Sequence, residues 1–412
     1  LGHALAIADG IDVRICERNR DAADWLDGYR ININPHGSRA LHECLPPALW
    51  EAFVATSTAP PGGITFRTEQ LRELFTITRD DMTGGSPDPA DGQYGVSRTV
   101  LRNLLLTGLE NHIRFGAEFE RYSVTPDGTV TAHFDDGSTA TADVLVGADG
   151  ANSRVRRQYL PDAERTLSDA GSIAARLPLD DDTRQWLPPF LTNGMTLVMP
   201  KAGSWSMFTS AFTGRDALTS AIAGGTALTG QILDTVDDYI LLSLIVDHRR
   251  LPGNIVDVDG ATLQHIALDM VSGWDPTLRR MVADCDLTTI AGMRFRQSTV
   301  VDPWPSTTVT VLGDAIHNMT PVGGLGANSA LRDAAALARH LIATRDGVPL
   351  VDALAAYETQ MRDWGYAAVR ESDRNAERAV ASNPFARRAG RTYFRTRRAL
   401  RNLNRRTEPQ RV

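Results

Sequence analysis

Lysine is all but missing from this sequence: Lys201 is the only one among 43 basic residues, so arginine carries the positive charge. Cysteine is scarce as well. Cys16, Cys44 and Cys285 are odd in number and make no C-x-x-C pair, which excludes a disulfide scaffold and suits a reduced, cytoplasmic protein. No run of 18 apolar residues occurs, so no membrane-spanning helix and no membrane partner are expected. The opening stretch LGHALAIADGIDVRICER has no basic n-region and no small-residue cleavage site, so no signal peptide is expected. H-E-x-x-H, G-x-S-x-G and the Walker phosphate loop are all absent. No metal site is expected, and Asp180–Asp182 reads as a solvated turn.

A net charge of −7 argues against nucleic acid as a partner of the whole chain. The charge is unevenly spread, however: from Arg387 to Arg411 ten arginines face one acid, Glu408. Such a segment reads as a solvated, partly helical tail over an acidic body.

Along the chain, IDVRICER reads as a buried parallel strand. HGSRALHECL and PPALWEAF read as helices, with Pro47 suited to a first turn. VSRTVLRNLLLTGLEN shows helical leucine spacing, with Ser97 placed as N-cap. RFGAEFERYSVTPDGTVTAHFDDGSTATADVLVGADG reads as strands turning at Asp127-Gly128 and Asp136-Gly137. From about Leu160 to Gly292 helix signals thin out and alternating segments such as TLVMP and SWSMFTSAF appear, with one helix at GATLQHIALDMVSG. A last parallel strand, TVTVLGDA, precedes a long helix from Asn328 to Thr344.

Three segments carry the chemistry. Glu17 closes the strand IDVRICE, where an acid can accept hydrogen bonds from a ribose hydroxyl pair. In DVLVGADGANSRVRR a buried strand ends at Gly147, and Asp149-Gly150 turn tightly into a helix, letting the backbone pass close to a ligand. In VTVLGDAIHNMTPVGGLGANSALRDAAALARHL a strand reaches Gly313-Asp314, and a glycine-rich loop runs through Gly324 and Gly326 into a helix. Free N–H groups at such a helix start stabilise negative charge, as on a reduced flavin. His317 reads as a structural residue.

Together these segments resemble the aromatic-hydroxylase family of flavin monooxygenases, from residue 1 to about 345. The resemblance implies a mixed α/β fold: a Rossmann-like FAD-binding domain (1–60, 90–165 and 293–350), a sheet-rich substrate domain (61–89 and 166–292), and a C-terminal helical, arginine-rich tail (351–412). It implies cofactor contacts from Glu17, Arg18, Arg30, Arg98, Arg102, Asp149, Gly150, Gly313, Asp314, Pro321, Gly324, Gly326, Ala327 and Asn328. The arginines also suit a pyrophosphate, whose oxygens match a guanidinium fork. The family opens with a strand and G-x-G-x-x-G, whereas this chain begins inside the helix that follows, so roughly fifteen to twenty residues of that unit are expected upstream.

The activity implied is single-component hydroxylation or epoxidation of a bulky natural-product intermediate in secondary metabolism. NAD(P)H is the co-substrate, and a flavin C4a-hydroperoxide delivers the oxygen. No catalytic side chain is singled out, because the cofactor performs the chemistry. The pocket is expected to be large and mostly apolar, with Met199, Trp205, Met207 and Phe208 as candidate liners. Two alternatives stay open: a non-redox [4+2] cyclase of spirotetronate type on the same scaffold, and a binding protein with a vestigial flavin site. The partner is a small-molecule substrate, and the chain is expected to act as a monomer or homodimer.

Overall fold

The computed structural model describes residues 1–8, 10–21, 30–58, 62–225 and 237–407, with side chains described as far as 401. The fold is mixed α/β. Its largest element is a seven-stranded sheet in the order Ala291–Ser298, Arg165–Pro178, Tyr239–Asp247, Trp205–Phe212, Met195–Val198, Ile64–Arg67, Glu73–Ile77. Segments before and after the 90–165 region therefore share one sheet, and its last strand runs past residue 292.

Alternation assigns the two faces of that sheet. Ile173, Val198, Met207, Ala211, Leu242, Leu244 and Val246 point to one side. There they form a core with the helices Gly260–Met270 and Pro276–Ala283. The opposite face carries Phe208 and Ile245, packed on the end of the long helix Leu350–Val380, and Phe212 and Tyr239, packed on the helices Pro35–Cys44, Pro47–Thr56 and Arg98–Leu106. The region from 160 to 292 is richer in helix than its composition suggests, holding Asp181–Trp186, Arg215–Ala223 and the two helices named above. Each is short and most begin at an aspartate cap, so their apolar periodicity spans too few turns to stand out. Asp180 is such a cap: its carboxylate accepts Thr183 N–H at 2.8 Å, so the acidic run starts a helix and is no turn.

Smaller ladders build the other layer. Leu145–Gly147 pairs parallel with Val309–Val311, and Ile15–Cys16 pairs parallel with Ile113–Arg114. Of the strand expected over 11–18 only Ile15–Cys16 is a regular strand, with Glu17 N–H continuing the pairing to Arg114 O at 2.9 Å. Ile31–Ile33 pairs antiparallel with Tyr94–Val96. Phe119–Val124, Val130–Phe134 and Thr139–Ala142 form a three-stranded meander. Pro47 does open its helix, while Ser97 occupies the N-cap position without a side-chain cap bond. The long helix starts at Gly326, two residues earlier than the sequence indicates.

The arginine-rich segment is the helix Pro384–Thr407, and it is docked along the edge strand Glu73–Ile77 where a solvated tail was expected. Phe394 stacks on Phe66 with ring centroids 4.2 Å apart. Arg391 meets Glu69 at 2.8 Å, and Arg398 and Arg401 donate to the Glu73 and Thr76 carbonyls at 3.0 and 2.8 Å. The helix thus satisfies an edge strand whose carbonyls would otherwise face solvent or another chain. Residues 408–412, the end of this segment, lie outside the described residues. Among the described residues no helix is long and apolar enough to cross a membrane.

Candidate functional site

The site begins where the Leu145–Gly147 and Val309–Val311 ladder ends. Gly147 is required by packing: a Cβ there would come within 2.8 Å of Val155 and 3.0 Å of Val311. Beyond it, Asp149 turns back on its own helix, accepting Arg154 N–H at 2.7 Å and Val155 N–H at 3.2 Å through Oδ2. That oxygen is a helix cap, so the expected cofactor hydroxyl has only Oδ1 left to meet. Two arginines lock this turn to the next one. Arg156 donates to the carbonyls of Ala151 and Ala315 at 3.1 and 2.9 Å. Arg165 donates to Ala151 O, Asn152 Oδ1 and Asn318 Oδ1 at 2.9–3.1 Å. Burial pushes both guanidinium pKa values down, and each also feels a neighbouring arginine.

The second turn is Gly313-Asp314. Gly313 adopts φ 60°, ψ −139°, a conformation essentially reserved for glycine. Its N–H donates to Asp333 Oδ2 at 2.8 Å, and the same oxygen takes His317 Nε2 at 2.5 Å. Asp333 Oδ1 takes the Trp364 indole at 2.7 Å. His317 and Asp333 are both fully buried. Burial alone would push the His317 pKa down, yet the Asp333 charge and hydrogen bond raise it above its ordinary value. His317 is thus structural, as the sequence indicates. Held this way, Asp314 is exposed at the first position of the helix Asp314–His317.

Arg98 faces it. This side chain is solvent-accessible but ringed by protein, so desolvation lowers its pKa while the Asp314 charge pulls it up. Arg102 lies one turn further along the same helix and is half-buried.

The third element is the loop Pro321–Gly324 and the helix Gly326–Ala343. Its N-cap is Leu325, which offers no side-chain oxygen, and no acid lies in its first turn. Among the described residues no side chain caps the N–H groups of Gly326 and Ala327. Asn328 does not join them. Its Oδ1 accepts Asn34 N–H at 2.8 Å, and its Nδ2 donates to Asn32 O and Gly324 O at 2.9 and 2.8 Å. The amide is fully used in tying the strand Ile31–Ile33 to the glycine loop. Gly37 leaves it room, since a Cβ there would stand 2.3 Å from Asn328 Oδ1.

The remaining candidates scatter. Glu17 is half-buried beside its two-residue strand and accepts Asn19 N–H at 2.9 Å, and Arg18 is exposed. Arg30 crosses to the seven-stranded sheet, donating to Ala211 O at 2.8 Å. Met207 is wholly buried in the core behind the sheet, with Trp205 packed against it, so those two point away from the groove. Met199 lies under Gly390 of the arginine-rich helix, and Phe208 packs on the opposite sheet face from Met207, against the end of the helix Leu350–Val380. Sequence reasoning missed Asp333, Arg156 and Arg165. For Asp333 a signal existed: it is the one acid in the helical run NSALRDAAALARHL.

FAD fits this groove. Open space lies over Gly150 and Gly324, where a Cβ would meet nothing within 4 Å. The exposed Asp314 carboxylate stands 3.7 Å from where a Cβ on Gly326 would lie and its charge acts on Arg98, so an acid, an arginine and a helix start are neighbours, matching hydroxyls, a pyrophosphate and an electron-rich ring edge. Among the described residues no group of three or more His, Cys, Asp or Glu could hold a metal.

Comparison with known proteins agrees. A profile described as an FAD binding domain matches residues 278–372. The crystal structure of a proposed FAD-containing monooxygenase from Photorhabdus luminescens superposes with a TM-score of 0.80 at 35% identity, covering 92% of this chain and 94% of that one. A dual O-methyltransferase/FAD-dependent monooxygenase of Cercospora beticola is 31% identical over 88% of this chain, and the chain spans 43% of that relative's length. The 3-amino-4-hydroxybenzoate 2-monooxygenase of Streptomyces cremeus is 27% identical over 86% of this chain and 78% of its own.

Proposed function

The chain belongs to the FAD-dependent monooxygenases, and we propose that it hydroxylates an aromatic intermediate of natural-product biosynthesis. The overall change is substrate-H + O2 + NAD(P)H + H⁺ giving substrate-OH + H2O + NAD(P)⁺. The chemistry that FAD supplies when bound is acceptance of two electrons from nicotinamide and activation of dioxygen. The chain's own residues bind, orient and exclude water.

The observation that carries this reading is the convergence of exposed Asp314, Arg98 and the uncapped start of Gly326–Ala343 on one groove. Asp314 accepts from a hydroxyl of the ribityl chain, Arg98 and Arg102 offset pyrophosphate charge, and the N–H groups of Gly326 and Ala327 stabilise negative charge on the flavin's pyrimidine edge. Asp149 and Glu17 meet the adenosine end. Residues 1–60, 90–165 and 293–350 form the cofactor domain. Residues 61–89 and 166–292, continued by the end of the strand Ala291–Ser298, contribute the sheet over the flavin, a division supported by the parallel pairing of Leu145–Gly147 with Val309–Val311. The cysteines Cys16, Cys44 and Cys285 are all free thiols, which supports a reducing, cytoplasmic setting.

An aromatic substrate is supported by the benzoate named for the Streptomyces relative. The O-methyltransferase in the Cercospora relative's name supports a product hydroxyl that is then methylated. The test is oxygen uptake by the FAD-loaded protein with NAD(P)H and a panel of phenolic acids. Uptake coupled one-to-one with hydroxylated product supports the reading, and product formed without oxygen or nicotinamide removes it.

A further inference from the structure

The helix Pro384–Thr407 holds nine arginines and no acid in a chain whose net charge is −7, so the rest of the chain carries −16. Its arginines divide between two faces. Four of them look inward. Buried Arg387 donates to the carbonyls of Ala379, Ala381, Pro200 and Trp205 at 2.6–3.3 Å, while Arg391, Arg398 and Arg401 pair with Glu69, Glu73 and Asp81. Together with Phe394 on Phe66 they hold the helix to the sheet edge.

The outward face has no such partners. Phe385 is 83% exposed, Tyr393 57% and Leu400 55%. At 3.6 residues per turn the three fall within about 80° of one another and extend over about 22 Å of helix. They form an apolar stripe. The same geometry sets Arg388 and Arg395 along one border of the stripe and Arg397 along the other, all exposed. Arg397 leans on the rings of Phe75 and Tyr393, 4.9 and 5.9 Å from their centroids. Among the described residues no acid pairs with Arg388, Arg395 or Arg397. Beside the Arg395 border a cleft of about 490 Å³ opens between the helix and the edge strand, lined by Arg72, Glu73, Leu74, Arg395, Arg398 and Ala399. Three guanidinium groups against one carboxylate leave it positive.

We propose that this outward face docks the protein on a membrane surface rich in anionic phospholipid, with the cleft taking a headgroup phosphate. An apolar stripe between cationic borders is complementary to an apolar layer under anionic headgroups. Arginine stems reach up to phosphates while the Phe385 and Leu400 side chains sink below them, and Tyr393 suits the boundary. Nucleic acid is a poorer match, since its phosphates would lie against the centre of the stripe, where no cation stands. A second copy meeting this face with its own would bring like charges together. The narrow line of side chains fits a shallow layer better than a partner's pocket. No helix needs to span the membrane for this, so the expectation of no membrane partner gives way to a peripheral one. The inner face stays on the sheet edge throughout, and the proposal is independent of the monooxygenase reading.

Co-flotation of the FAD-loaded full chain with vesicles tests it without turnover. Vesicles of equal parts phosphatidylcholine and phosphatidylglycerol bind it more tightly than phosphatidylcholine alone by about tenfold or more, because each arginine near an anionic surface adds affinity. The double variants Arg388→Gln/Arg395→Gln and Phe385→Ser/Leu400→Ser each lower that binding several-fold. FAD content and melting temperature stay unchanged in both, since all four side chains are exposed. Equal affinity for the two vesicles, or binding to neither, overturns the proposal. Capture on immobilised polyglutamate without vesicle binding does so too, and assigns the face to an acidic protein. A Phe385→Ser/Leu400→Ser protein that binds as tightly as the parent also overturns it, since the stripe then stays out of the lipid.

Discussion

Asp333 accepts the backbone N–H of Gly313 at 2.8 Å, inside the protein and twenty residues away in sequence. The residue next to Gly313 is the exposed Asp314, so a carboxylate that reaches no ligand fixes the turn that presents one. Because the same side chain also takes His317 and Trp364, one buried group couples the GD turn, its short helix and the helix Leu350–Val380. Gly365 allows this closeness, its Cα lying where a Cβ would strike the His317 ring at 2.4 Å.

Replacing Asp333 by alanine leaves two buried donors, Gly313 N–H and His317 Nε2, and the half-buried Trp364 indole without their acceptor. The expected loss is about 3–5 kcal/mol of stability, the usual penalty for breaking a buried ion pair. FAD retention falls with it. Denaturant midpoints and bound-flavin content check both, and a variant with unchanged midpoint removes Asp333 from its anchoring role.

Stability should depend on pH through His317. Its folded pKa is raised by Asp333, so the pair's contribution is complete below the ordinary value of about 6.5. It is lost as pH rises through the higher folded value. Melting temperatures measured across that window decline for the parent protein, and His317→Gln removes that part of the slope. An identical slope in the variant would mean that the histidine is neutral throughout.

Gly37 and Asn328 should behave as one unit. A Cβ at position 37 would displace Asn328 Oδ1, which stands 2.3 Å from it. Gly37→Ala and Asn328→Ala are each expected to destabilise by about 1–3 kcal/mol, the cost of orphaned buried hydrogen-bonding groups. The double variant is expected to lose far less than the sum. Additive losses would show that the two act separately.

Asp314→Ala separates binding from folding. The side chain is exposed, so apo stability should change by less than about 0.5 kcal/mol. FAD affinity should fall by about 1.5–3 kcal/mol, the worth of a hydrogen bond to a charged group. Flavin titration of the apoprotein reads this directly, and unchanged affinity excludes Asp314 from the cofactor site.

The turns at Asp149-Gly150 and Gly313-Asp314 were legible in the sequence because backbone constraints there leave glycine as the residue that fits. The helix after Gly326 was legible from its apolar spacing. For Asn328, nothing local shows that its side-chain amide bonds to Asn32 and Asn34. In SWSMFTSAF alternation shows that Met207 and Phe208 face opposite ways, but not which side holds the flavin; the packing of Gly260–Met270 and Pro276–Ala283 decides it. The docking of the arginine-rich helix was hidden for the same reason. Its partners Glu69, Glu73 and Phe66 are over three hundred residues away. Asp333 was legible only as an anomaly, one acid in an apolar helix.

The central claim is that this groove serves oxygen transfer. The most direct test supplies the FAD-loaded protein with NAD(P)H, isotopically labelled dioxygen and a panel of phenolic carboxylic acids, and analyses products by mass spectrometry. The account predicts a product carrying one labelled oxygen atom per NAD(P)H consumed, and none when oxygen is withheld. A product with no added oxygen, formed at full rate anaerobically and without nicotinamide, would contradict it and establish the flavin as a structural element of a cyclase.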